Sequence, residues 1–188
     1  LIRKKLPEAE LHVYGGYPPK KAFDLHNPKT GFIVKGRAGS AKEVFRKSRV
    51  LISPLRFGAG LKGKFFDAMK YGAPAVTTAI GAEGINKNLP WNGAIEDDPE
   101  KFASAAVSIY CKKELWEISR QNGFTILKTR FDREKIEEDF KKSLSEMKNN
   151  LEEHRRENFI GAMLLHHTIN ATRYLSKYIE AKNMSQSD

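Results

Sequence analysis

Cys111 is the only cysteine in this 188-residue sequence. One thiol can form neither an internal disulfide nor a cysteine-based metal cluster, and it fits a reducing, cytosolic compartment. Long apolar runs are also missing. Stretches such as Val50-Leu51-Ile52 are strand-sized, far short of the roughly 18 residues a membrane-spanning helix needs. No secretory leader pattern is present, and no internal repeat or low-complexity tract breaks the chain. The first residue is Leu1 rather than Met, so the sequence is expected to be a piece of a longer protein.

Acidic residues are scarce in one region. Residues 1–70 hold 16 Lys and Arg against 5 Asp and Glu, a net +11; residues 71–188 hold 17 against 18. The overall +10 therefore belongs to the first part. A basic field attracts phosphate on a nucleotide, a nucleic acid or a membrane surface, and a solvated basic surface is the other reading. A nucleic-acid binder would interleave exposed aromatics with its basic residues. Phe32, Phe45 and Phe57 fall where core residues are expected, so no nucleic-acid partner is expected. With 40% hydrophobic and 30% charged residues, the composition is that of a soluble globular protein.

Strand-like and helix-like segments alternate through the first half. Leu11–Tyr14 reads as a strand ended by Gly15-Gly16, and Phe32–Val34 as a second ended by Gly36. Ser40 can cap a short helix holding Val44 and Phe45. Val50–Ile52 is a third strand, stopped by Pro54. Phe65–Met69 is a short helix ended by Gly72 and Pro74, and Ala75–Thr78 is a fourth strand. Asp98-Pro99 opens a helix to about Tyr110. This alternation implies a parallel sheet covered on both faces. After Gly123 the pattern changes. Ile136, Phe140, Leu144, Met147 and Leu151 mark one amphipathic helix, with Asp132 as its cap, and Ile160 to Tyr178 mark another. Residues 183–188 read as a frayed tail.

The stretch Ser53 to Lys64 (SPLRFGAGLKGK) carries the chemistry. It leaves a strand and enters a helix. Glycines let backbone approach a phosphate closely, and a helix start offers unpaired N–H groups. Arg56, Lys62 and Lys64 add positive charge. Gly58, Gly60 and Gly63 satisfy the dinucleotide pattern G-x-G-x-x-G, but the acidic residue that pattern requires is misplaced: Glu83 sits in a glycine loop. Gly58 to Lys64 also satisfies G-x-x-x-x-G-K. Phe65 then stands where a magnesium-holding Ser or Thr is needed, which argues against a P-loop nucleotidase.

The run Ile52 to Ile85 (ISPLRFGAGLKGKFFDAMKYGAPAVTTAIGAEGI) closely resembles the signature of the GT-B glycosyltransferases of the group 1 type, in their C-terminal, nucleotide-sugar-binding domain. The order LHVYGG, FIVKG, helix, glycine loop and A-M-x-x-G-x-P turn matches as well, over about residues 7–130. The resemblance implies a Rossmann-like, doubly wound parallel sheet, with the family's first, central strand missing ahead of Leu1. It also implies a partial donor-binding domain over 1–125 and a helical C-terminal extension over 126–188.

For the site, the resemblance implies that Gly58, Gly60 and Gly63 cradle the donor diphosphate, with Arg56, Lys62 and Lys64 neutralising it. Relatives carry two glutamates eight residues apart. Asp67 matches the second, the one on the ribose hydroxyls, while Ala59 stands where the first would be. Gly36 and Arg37 match the region bordering the base. No metal is expected, and no catalytic residue is identified. His166-His167 is read as surface or packing, and Glu83 has no assigned role. The implied activity is sugar transfer from a nucleotide donor to an unknown acceptor, with retention, by a parent enzyme in the cytoplasm. The acceptor domain is missing, so the fragment alone is expected to be inactive. Contact with the inner face of a membrane and self-association are left open, as are a GT-B nucleotide-sugar epimerase and a non-catalytic scaffold.

Overall fold

The computed structural model describes residues 1–184, and the backbone alone for residues 166–169 and 183. The chain divides into two compact units, one ending at Asp132 and the other beginning at Arg133. This division lies beyond the expected 125/126. Residue 126 belongs with the first unit because Ile126 is fully buried in its core.

The first unit runs in chain order through helix α1 (Ile2–Lys5), strand β1 (Leu11–Tyr14), helix α2 (Lys20–Phe23), a 3-10 turn (Pro28–Thr30) and strand β2 (Phe32–Gly36). It continues with α3 (Ala41–Lys47), β3 (Leu51–Ser53), α4 (Gly63–Tyr71), β4 (Ala75–Thr77) and α5 (Ala79–Ala82). Strand β5 (Gly93–Ile95), α6 (Pro99–Cys111) and α7 (Lys113–Arg130) complete it. The expected caps form. Ser40 Oγ accepts from Glu43 N–H at 3.4 Å, and Asp98 Oδ1 accepts from Glu100 and Lys101 N–H at 3.1 and 2.9 Å. Gly72 ends α4 in the left-handed region, at φ +77°.

Every strand pair is parallel, as alternating strands and helices require. The sheet is in two pieces, however: β1-β2, and a three-stranded piece in the order β3-β4-β5. Strand β5 went unforeseen because Gly93-Ala94-Ile95 is too short to show a period. Gly93 sits at φ +152°, and a Cβ there would overlap the Ala75 carbonyl.

The β3-β4-β5 piece is packed on both faces. One core cluster joins Phe65, Met69, Ala75, Ile85, Trp91 and Ile126; the other joins Val76, Phe102, Ala106 and Ile109. Phe65 meets Trp91 edge to face at 5.3 Å, and the Trp91 indole N–H donates to Ala75 O at 2.9 Å. Each large side chain buried this way stabilises the unit by about 1.5–3 kcal/mol. This rigid packing fixes the C-terminal end of β3 and the start of α4, between which the glycine loop hangs.

The second unit comprises α8 (Arg133–Asn149), α9 (Leu151–Glu157) and α10 (Phe159–Met184). The apolar series expected on one helix to Leu151 crosses a break at Asn150. Asparagine is a poor helix former and favours such junctions. Asn158 makes the second break, its Oδ1 accepting from Gly161 N–H at 3.1 Å. The expected tail falls largely outside the described residues. Among these, no helix is long and apolar enough to cross a membrane.

Candidate functional site

Strand β3 ends in a buried residue, Ser53, and Pro54 turns the chain outward. Two threonines at the end of β4 hold the start of the loop. Thr77 Oγ1 donates to Ser53 O at 2.9 Å, and Thr78 Oγ1 donates to Leu55 O at 2.6 Å. Thr78 also accepts from Gly81 N–H at 3.3 Å, capping α5. The sequence reading missed both threonines; their signal is only the hydroxyl pair at the end of a buried strand.

Beyond Leu55 the loop relies on glycine. Gly58 lies at φ +150° and Gly60 at φ +68°, conformations that L side chains rarely adopt. A Cβ on Gly60 or Gly63 would meet nothing within 4 Å, and one on Gly58 only the end of Lys62, at 3.8 Å. The glycine surface therefore faces open space.

Lys62 precedes α4 and offers its first turn no side-chain cap. Its own side chain is 9% exposed and folds back: Nζ donates to Ile80 O at 2.6 Å and lies 3.9 Å from Glu83 Oε2. That contact gives Glu83 a place it lacked in the sequence. Lys64 Nζ donates to Ser53 Oγ at 3.2 Å, and burial pulls its pKa below the ordinary 10.5. A bound anion would favour its charged form and oppose that shift.

Asp67 is half-buried on α4, three residues after Lys64 and four after Gly63, so the three share a helix face. Arg56 is exposed. Among the described residues, neither Asp67 nor Arg56 has a hydrogen bond or ion pair. The structure thus gathers Arg56, Gly58, Gly60, Lys62, Gly63, Lys64 and Asp67 along one loop and helix start. Gly36, at φ +71°, and Arg37 end β2 in the other half-sheet, and no contact joins them to this loop.

One expectation is corrected. Phe57 is not a core residue; it is 86% exposed, between Arg56 and Gly58 in a loop that projects from the packed sheet. Phe32 and Phe45 are half-buried. The side chains of His166 and His167 lie outside the described residues. Among those described, no group of three or more His, Cys, Asp or Glu is placed to hold a metal.

An uncapped helix start, a glycine surface facing open space and nearby cations make a receptor for an anionic diphosphate. Residues 1–112 match the family profile described as glycosyl transferases group 1. The chain belongs to that family. No curated protein matches the sequence. Among solved structures it is similar to S. aureus TarM, a point mutant solved with fondaparinux, alpha-GlcNAc-glycerol and UDP. The TM-score is 0.64 at 16% identity, over 74% of this chain and 29% of that one. It is also similar to the pneumococcal O-GlcNAc transferase GtfA, solved with UDP and GlcNAc. There the TM-score is 0.62 at 19% identity, over 77% of this chain and 31% of that one. The chain thus spans less than a third of either protein. The α/β, Rossmann-like architecture is the one shared with these GT-B structures.

Proposed function

We propose that the loop from Pro54 to Lys62 and the first turn of α4 bind the diphosphate of a nucleotide-sugar donor. The parent protein then transfers the sugar, with retention, to an acceptor held on a further domain. The observation that carries this reading is the open space in front of Gly58, Gly60 and Gly63 at a helix start with no side-chain cap. In the proposed complex, Gly60 and Gly63 N–H groups donate to phosphate oxygens and Arg56 supplies a mobile countercharge. Lys64 donates from the side of β3. Asp67 accepts from the ribose hydroxyls, and Gly36 and Arg37 border the base.

Transfer releases a nucleoside diphosphate, whose charge grows as the glycosidic bond breaks. Donors fixed before that moment lower the barrier. In this reading the helix start and cations do that work, and no metal is required. Lys62 acts chiefly on the loop, because its ammonium already serves Ile80 and Glu83. UDP in both similar structures supports a uridine donor. Transfer needs both substrates in one cleft, so the separate chain is proposed to bind donor without turnover. The single exposed cysteine fits a cytoplasmic setting.

Calorimetric titration with UDP-, GDP- and ADP-sugars tests this proposal. At least one should bind saturably, and Lys64→Ala should weaken that binding about tenfold, the loss of one charge-assisted hydrogen bond. Absence of binding by all three overturns it.

A further inference from the structure

Each half-sheet of the first unit has an edge without a partner strand among the described residues. β1 pairs only with β2, and β3 only with β4. Alternation along a strand gives the direction of the remaining amides. Leu11 N–H donates to Gly31 O at 2.8 Å, on the β2 side, so His12 N–H points the other way. Leu51 N–H donates to Pro74 O at 2.8 Å, on the β4 side, so Ile52 N–H points away from β4.

His12 and Ile52 both line one cavity of about 890 Å³, with Leu11, Phe32, Val50 and Phe102. Two sheet edges therefore open onto a single slot with apolar walls. Buried backbone groups need partners, and an open edge is a template for another strand. The β2-α3-β3 connection carries a helix, as connections between parallel strands do, so the two half-sheets run the same way.

We propose that this slot receives one extended β-strand, apolar on both faces and parallel to β1 and β3, joining the half-sheets into one continuous sheet. The strand comes from polypeptide outside residues 1–188. A second folded copy is the wrong occupant, because its strands are flanked by its own sheet and helices. A slot with a strand edge on each side admits a single chain. The strand must be apolar on both faces because parallel strands in such sheets are covered on both; Phe102 of α6 already supplies one cover. This inference does not depend on donor binding.

The test fuses a strand, Lys-Val-Ile-Val-Ile-Gly, ahead of Leu1 through a flexible Gly/Ser linker of about fifteen residues, enough for a parallel crossover. A control fusion carries Lys-Val-Pro-Val-Pro-Gly, which cannot pair. The strand fusion should be monomeric by light scattering. It should exchange its His12 and Ile52 amides about tenfold more slowly than the control and melt several degrees higher. A control that fails to fold beside a strand fusion that folds supports the proposal equally. Equal exchange in the two fusions, failure of both to fold, or a dimer that protects these amides in the control overturns it.

Discussion

The ammonium of Lys62 donates to the carbonyl of Ile80 at 2.6 Å, tying the end of the glycine loop to the turn that follows β4. Lys62→Ala removes that tie and leaves a poorly solvated carbonyl. The expected loss is about 1–2 kcal/mol, or about 2–8 °C in thermal midpoint. Gly58 and Gly60 amides should exchange faster while Ile85 and Ile126 keep their protection. Calorimetry and amide exchange on the same samples check both parts.

Gly93 tests the packing beneath the site. Gly93→Ala forces a Cβ onto the Ala75 carbonyl from a backbone conformation that disfavours it. The cost should exceed about 2 kcal/mol. Gly60→Ala has open space around its Cβ and meets only the cost of its left-handed backbone, about 1–2 kcal/mol. Urea midpoints of the two variants should keep that order.

Lys64 supplies a pH dependence. Its pKa is lowered in the folded state by burial, so the unfolded chain binds more protons between that value and 10.5. Stability then rises with pH across this window; below it the burial penalty on the charged form is fully present. Donor binding has the opposite slope, because a diphosphate prefers the charged lysine. Affinity should fall as pH rises through the lowered pKa, and Lys64→Arg, charged throughout, should flatten the fall. Titrations between neutral pH and 10.5 measure it.

Asp67→Asn separates binding from folding. Asp67 has no protein partner among the described residues, so its thermal midpoint should stay within about 2 °C. Donor affinity should drop about tenfold through the lost charge on the ribose hydroxyls. A ligand lacking both hydroxyls should not distinguish the variant from the wild type, as competition titration can show.

Legibility in the sequence followed the length and chemistry of each signal. Asp98-Pro99 and Ser40 announced their helices because capping is local. Gly58, Gly60 and Gly63 announced the loop because glycine spacing reports backbone demands that no other residue meets. Strand β5 was silent: three residues carry no period, and only pairing with β4 defines them. The break at Asn150 was hidden because the apolar series continues through it to Leu151. The fold-back of Lys62 onto Ile80 and Glu83, and the Thr77 and Thr78 clamps, are long-range contacts that spacing does not encode. Phe57 was misplaced because an aromatic between charged and glycine residues was read by type rather than by its place in a projecting loop.

The central claim is that the glycine loop and the start of α4 form the donor diphosphate site. Its most direct test follows backbone amide resonances of the chain during titration with UDP-, GDP- and ADP-sugars. The account predicts saturable shifts for at least one donor at Gly58, Gly60, Gly63 and Lys64, with none in α8 to α10. No saturable shift at those four residues with any of the three, or shifts confined to other parts of the chain, would contradict it.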